Sequence, residues 1–562
     1  MYREGSKISD IAGRTINPDG TIVELKKDAI FDRTIVKAGG VKVKAKSFAM
    51  PAVERGVIVE YRWREAKDYV SEYAQFDLQR DIPIQAVRYH VKPLKMEYSF
   101  SAITFHGNAT PFAKEKDGFY LTTLANVPAL RDEPRMPPDH EVRAWMLVYY
   151  TRRDKVSPDK YWQQFGKQIY DDNKSLMGVN DDVRRAAAAA IGDAATPDQK
   201  LERLFAFCRA KIKNTRSEAS GLSREERAKA KENKSPADTL KRGAGTPRNI
   251  NMLFGALAIA AGFDTRIARL ADRGLNFFDP QAADEYFVPT YDIAVHVGDT
   301  WKFFDPGSPY IPYGMLRWEE EGLQALICDP KSSVFVKTPL SPSEKSKQRR
   351  IAALTLTEDG ALEGDVRIEY TGHLAVEKRL DNEEDSPDKR EETLRDMIKE
   401  RMSTAELSAI HIENVSDPEK PFVYAFHVRV PGYAERTGKR LFIQPSFFKR
   451  GIAALFSASD RKYSIYFHYP WMEDDTVNIK LPAGFALDHA ESPAPFAAST
   501  VAKYDVKIQV ARGNEALIYN RTFSFAGLLF AQSDYAALKQ VFDTLHERDN
   551  HTITLKQAGG TQ

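Results

Sequence analysis

Gly245-Thr246-Pro247-Arg248-Asn249 opens a segment that runs through Met252-Leu253-Phe254 to Ala260-Ala261-Gly262-Phe263. Threonine before proline marks a helix start, because proline presets φ and has no N–H to lose at the first helical position. Leu253, Ala256, Leu257 and Ala260 then recur at helical spacing, and Gly262 ends the run. Strand-like segments follow at Arg266-Ile267-Ala268 and at residues 293–297 and 301–304. A helix followed by strands, closing near residue 330, reads as an α+β block.

The segments before it are also helical. Ser157-Pro158 and Thr196-Pro197-Asp198-Gln199 are two further capped starts, the second with the glutamine of a capping box. Leu201, Leu204, Phe205, Cys208 and Ile212 follow at helical spacing. Residues 222–234 are densely charged and read as a solvated helix or loop. Before residue 150 the pattern is short strands and turns. Asn17-Pro18-Asp19-Gly20 separates Ile8-Ser9-Asp10-Ile11 from Thr21-Ile22-Val23-Glu24-Leu25, and residues 57–63 and 144–150 are further strands. After a polar stretch at 341–350, which reads as a linker, strands return. Leu354-Thr355-Leu356 and residues 366–370 flank the turn Glu358-Asp359-Gly360. One helix, capped by Ser386-Pro387, interrupts them. A last helix starts at Ser533 or Asp534 and carries Tyr535, Leu538, Val541, Phe542 and Leu545 on one face, and Thr552-Ile553-Thr554-Leu555 is the final strand.

Bulk properties exclude several classes. A chain of 562 residues is too long for one core. A net charge of +2 with 28% charged residues gives no nucleic-acid footprint. The longest apolar run, residues 252–263, falls short of the roughly 20 residues a membrane-spanning helix needs. Two cysteines, Cys208 and Cys328, cannot build a disulfide framework or a multi-cysteine zinc site. Gly243-Ala244-Gly245-Thr246 lacks the Lys-[Ser/Thr] of a phosphate loop, and the histidines show no paired helical spacing. No metal site and no cofactor is expected.

The middle block resembles a bacterial transglutaminase-like domain, the fold shared with papain-type cysteine proteases. The resemblance rests on Gly245-Thr246-Pro247-Arg248-Asn249, the alanine-rich helix with its Gly262-Phe263 exit, Tyr291-Asp292-Ile293-Ala294-Val295, and Trp301-Lys302-Phe303-Phe304-Asp305-Pro306. The flanks agree. Residues 8–20, Ser47-Phe48-Ala49-Met50-Pro51 and residues 56–61 resemble the uncharacterised β-sandwich that precedes such domains in bacterial envelope proteins, and residues 525–555 resemble their C-terminal β-domain. The resemblance implies an α+β multidomain protein: a β-sandwich at 1–155, a transglutaminase-like (papain-like) α+β domain with helical lead-in at 156–335, and a C-terminal β-sandwich at 351–562. It enters the first domain partway, at Lys7, which implies a missing upstream segment with a signal peptide. Met1-Tyr2-Arg3-Glu4-Gly5 itself has no apolar h-region.

In the family a thiolate attacks, an imidazole moves the proton, and a carboxylate orients the imidazole. Aligned on the motifs, the cysteine position holds Pro247, which has no nucleophile and no N–H for an oxyanion. The histidine position holds Asp292, ionised at neutral pH unless perturbed and no substitute for imidazole. The third position, Asp305, survives. Cys208 and Cys328 read as core residues, Thr246 as a cap, and His296 as a structural histidine. Arg248, Tyr291 and Trp301 are the expected cleft residues. If Asp292 and Asp305 lie close together, they share a proton, bind a cation or pair with Arg248; otherwise they are two separately solvated or bonded aspartates. The expectation is a catalytically degenerate, transglutaminase-like pseudoenzyme of the periplasm or cell envelope. It would bind a peptide, glycan or envelope protein, or scaffold, without nucleic acid or a transmembrane segment. The alternative is an active cysteine-type acyltransferase or peptidase with a relocated nucleophile.

Overall fold

Thr246 caps the central helix through its own side chain. Its Oγ1 accepts the Asn249 N–H at 3.3 Å, and Asn249 Oδ1 accepts the Thr246 N–H at 3.1 Å. With proline at its first position, the helix spans Pro247–Ala260 and fully buries Leu253, Phe254, Ala256 and Leu257. These residues come from a computed structural model that describes residues 2–3, 5–38, 41–94, 99–151, 156–511 and 515–557. Against the helix lies a five-stranded antiparallel sheet ordered Thr300–Phe304, Thr290–Val297, Asp264–Leu270, Gln324–Ile327, Val334–Lys337. Ile267, Ile293, Val295 and Phe304 meet the helix in one core. Leu201, Leu204, Phe205 and Cys208 of the helix Pro197–Lys211 complete it, and that helix starts on the capping box formed by Thr196 and Gln199.

The chain is a multidomain α+β protein with β-rich ends. The N-terminal strands form four three-stranded sheets. In one of them Ser6–Ile16 pairs with Ile22–Glu24 across the Asn17–Gly20 turn and with Ile58–Lys67 on its other edge. That edge strand is exposed at every position, Tyr61 and Trp63 included. At the C-terminal end an eight-stranded sheet carries the helices Gly372–Asn382, Pro387–Arg401 and Tyr535–Asp549, with a four-stranded sheet beside it.

Two readings of the C-terminal half need correction. The sequence suggests one interrupting helix, and there are two. The Gly372–Asn382 helix has Thr371 at its cap with no side-chain cap hydrogen bond, and Gly372 at φ +56°, so it lacks the start signal that Ser386-Pro387 supplies. The stretch 341–350 is not a free linker. Ser341, Ser343, Ser346 and Arg350 are buried, and strand Lys347–Leu356 already lies inside the eight-stranded sheet. Its Arg350 joins an internal ion network. Sheet register sets Arg350 beside Asp475 and Asp475 opposite Arg521, one row across three strands. Arg350 Nε and Nη2 donate to the two oxygens of Asp475 at 2.5 and 2.8 Å, and Arg521 clamps Asp549 in the same forked way at 2.6 and 2.8 Å. Glu473 accepts from Arg350, Arg521 and Lys449. Burial raises its carboxyl, but Lys449, Arg521 and Arg350 outweigh burial and hold it well below the usual carboxylate range.

The middle block is tied to both ends. Tyr73 donates to Asp284 at 2.6 Å, and Arg273 donates to the Tyr466 hydroxyl at 2.8 Å and the His468 carbonyl at 3.0 Å. His468 stacks on Trp318 with centroids 4.0 Å apart. Burial, helped by Arg135 and Arg273, pushes its imidazole down from 6.5 to about 4. The folded state therefore favours neutral His468, while the unfolded chain takes up a proton first as pH falls. The stability from this group is present above about pH 6.5 and is lost as pH falls toward 4. The wild-type melting temperature is expected to drop more steeply than that of His468→Gln between about pH 6.5 and 5. Parallel curves in that window would contradict the sign.

Candidate functional site

Strand register brings the two aspartates together. Ile293 pairs with Phe304, so Asp292 and Asp305 stand opposite each other one step beyond the last registered pair. Like charges in that arrangement repel. Asp292 is fully buried and Asp305 is 5% exposed, so they occupy the interior instead of an open cleft. A third carboxylate joins them: Glu320, 1% exposed, from the 3-10 turn Trp318–Glu320. One oxygen from each of the three lies within 4.8 Å of the others.

Their hydrogen bonding is uneven. Asp305 accepts from Asn251 Nδ2 at 2.7 Å and from the Ser308 N–H at 3.1 Å. Glu320 is gripped by the Arg317 guanidinium through Nε at 3.1 Å and through Nη2. Neither oxygen of Asp292 has a hydrogen-bond partner among the described residues. Burial, then the charges of Glu320 and Asp305, push Asp292 well above the carboxylate range against the pull of Arg317. Burial also raises Glu320, with Arg317 opposing and Asp305 reinforcing.

Pro247 lies beside this group by way of the loop after Asp305. The Asn251 Oδ1 accepts the Gly307 N–H at 2.7 Å, and a Cβ on Gly307 would stand 2.3 Å from the Pro247 carbonyl oxygen. The helix start and the Asp305 loop are thus in direct backbone contact. The other anticipated residues do not gather here. Arg248 donates to Asn173 Oδ1 at 2.7 Å and reaches Glu232 at 4.0 Å, so the basic partner of the acidic group is Arg317 and not Arg248. Tyr291 is half-buried at the edge of the helix–sheet core. Trp301 pairs across the strands with His296, their rings 4.9 Å apart, at the far end of the hairpin from Asp305. At about 3.3 Å per residue, that is roughly 13 Å along the strand. Thr246 caps the helix through its side chain, and His296 is exposed on its strand.

Glu320, Arg317 and Asn251 were not anticipated. Asn251 sits one helical turn after Pro247, a spacing that could have pointed to it. Glu320 and Arg317 come from an irregular segment without periodicity, and nothing in the sequence marks Glu320 as buried. Cys208 and Cys328 are free and fully buried, and no cysteine–histidine hydrogen bond occurs among the described residues. Burial raises Cys208 far above its ordinary value and pushes Cys328 up to about 12.

Beside the helix start, a groove of about 630 Å³ runs between the middle block and the C-terminal part. Phe205, Ile250, Pro306, Tyr310, Tyr313 and Pro418 line it. Arg209 closes one side, donating to the Ser308 carbonyl at 2.7 Å and standing 3.6 Å from Glu419.

Comparison with known proteins places this architecture. A candidate protease from Parabacteroides distasonis superposes over 98% of this chain and 90% of its own length, with TM-score 0.54 and 13% identity. The two chains share a fold. A candidate cysteine protease from Cytophaga hutchinsonii matches over 42% of this chain and 75% of its own, with TM-score 0.19 and 13% identity. Residues 3–131 match the family model described as "Domain of Unknown Function with solved-structure structure (DUF3857)", and residues 439–555 match the one described in the same words as DUF3858. No curated protein matches the chain. Among the described residues, no helix is long and apolar enough to cross a membrane.

Proposed function

We propose that this chain is a catalytically degenerate transglutaminase-like protein that binds or scaffolds in the bacterial cell envelope. Its domains would be a β-sandwich at 1–155, the transglutaminase-like domain at 156–335 and a β-rich domain at 351–562. The observation that carries the reading is chemical. The helix start that would present the nucleophile holds Pro247, while both thiols of the chain are buried with raised pKa values. A thiol attacks as its thiolate, and burial in apolar surroundings suppresses that form. Asp292, at the histidine position, is sealed from solvent and cannot exchange protons with a substrate.

The groove beside Pro247 supports binding. Aromatic and proline side chains offer flat apolar contact, and Arg209 offers charge, a composition suited to a peptide or glycan segment. The test is turnover. Incubated with a glutamine-donor peptide, a fluorescent amine and peptidase substrates, the full chain is expected to show no amine incorporation and no cleavage above the buffer rate. Turnover that disappears in Cys208→Ser or Cys328→Ser would establish the alternative, an active enzyme with a relocated nucleophile. Pull-down from an envelope extract then separates a binding protein from a module that only holds its β-domains together.

A further inference from the structure

Three carboxylates meet in the interior and one guanidinium faces them. The remaining donors to the group, Asn251 Nδ2 and the Ser308 N–H, are neutral. In formal charge, two negatives stay uncompensated. Each such charge is costly in a protein interior unless something neutralises it. Asp292 adds a separate observation: it is fully buried, it points into the group, and both its oxygens lack a partner among the described residues. Buried polar atoms of this kind call for an occupant.

A shared proton would remove one of the two excess charges, whereas a divalent cation removes both. One oxygen from each of the three carboxylates lies within 4.8 Å of the others, close enough for a single cation to reach all three. An all-carboxylate donor set selects hard cations over zinc or copper.

We propose that Asp292, Asp305 and Glu320 form a binding site for one hard divalent cation, of the calcium, magnesium or manganese type. The ion would sit where the family's histidine and aspartate positions face each other, and would pin the hairpin Thr290–Phe304 to the Trp318–Glu320 turn. It would turn a former catalytic pair into a structural centre. This site stands or falls independently of whether the chain has any turnover.

The test uses the full chain, freed of metal by chelation and titrated with manganese chloride, with free Mn²⁺ followed by its electron paramagnetic resonance signal. Calcium chloride serves as competitor. One equivalent of Mn²⁺ is expected to bind, calcium to displace it, and affinity to fall at least tenfold in both Asp292→Asn and Glu320→Gln. No uptake by the wild-type chain overturns the proposal, and so does uptake unchanged in both variants, which would put the ion elsewhere. If Asp292→Asn fails to fold, the wild-type and Glu320→Gln titrations decide alone. A more stable Asp292→Asn beside a wild-type chain that takes up no Mn²⁺ assigns the group to a shared proton and also overturns it.

Discussion

Replacing Arg521 with methionine is expected to destabilise the fold by about 3–5 kcal/mol. Arg521 is fully buried at the crossing of three elements: its own strand, the strand bearing Glu473 and Asp475, and the end of the Tyr535–Asp549 helix. Its guanidinium makes four hydrogen bonds or ion contacts, among them the fork onto Asp549 and the 2.8 Å contact to Glu473, and Asp549 also accepts from the Tyr504 hydroxyl. Methionine fills a similar volume, so the packing loss is small. The cost arises because Asp549 loses its counter-charge while remaining buried. The expected readout is a lower urea midpoint for the transition that reports the C-terminal part. Adding Asp549→Asn to Arg521→Met should recover part of the loss, since an amide tolerates an interior site better than an orphaned carboxylate. A shift under about 1 kcal/mol would show that water reaches the network and screens it.

Gly307→Ala is expected to cost about 3 kcal/mol, at the upper end for overpacking. The added methyl would stand 2.3 Å from the Pro247 carbonyl oxygen and 2.8 Å from Asn251 Oδ1. The first of these is backbone at the start of a capped helix, which cannot swing aside as a flexible side chain could. Relief requires the helix and the Asp305 loop to part, which breaks the 2.7 Å bond from the Gly307 N–H to Asn251 and the 2.8 Å bond from Asn214 to the Gly307 carbonyl. Chemical denaturation measures the loss. A midpoint within about 0.5 kcal/mol of wild type would mean that this loop yields, and that the helix start is not held against Asp305 as described.

The sequence shows structure best where a local rule acts alone. Thr246-Pro247 and Thr196-Pro197 announce their helices because capping is settled within four residues, and the structure has both caps. The Gly372–Asn382 helix gives no such sign, because its start has no side-chain cap and its stability comes from packing on the distant sheet. Arg350 misleads for a related reason. An arginine in a polar run reads as solvated until strand register, a long-range property, puts Asp475 beside it. The site divides in the same way. Pro247, Asp292 and Asp305 were readable from motifs on the helix and the hairpin. Glu320 and Arg317 were not, because an irregular turn brings them in and no periodicity reports which way such a turn faces.

The most direct measurement is the reaction of the folded chain with iodoacetamide, read by intact mass. Cys208 and Cys328 are buried in separate cores, and the proposed reading puts neither within reach of a substrate. The native protein is therefore expected to stay unmodified over a period in which the unfolded chain takes up two carbamidomethyl groups, one for each cysteine. A single rapid adduct on the native chain, at either Cys208 or Cys328, would show a reactive thiol in the fold and contradict the account.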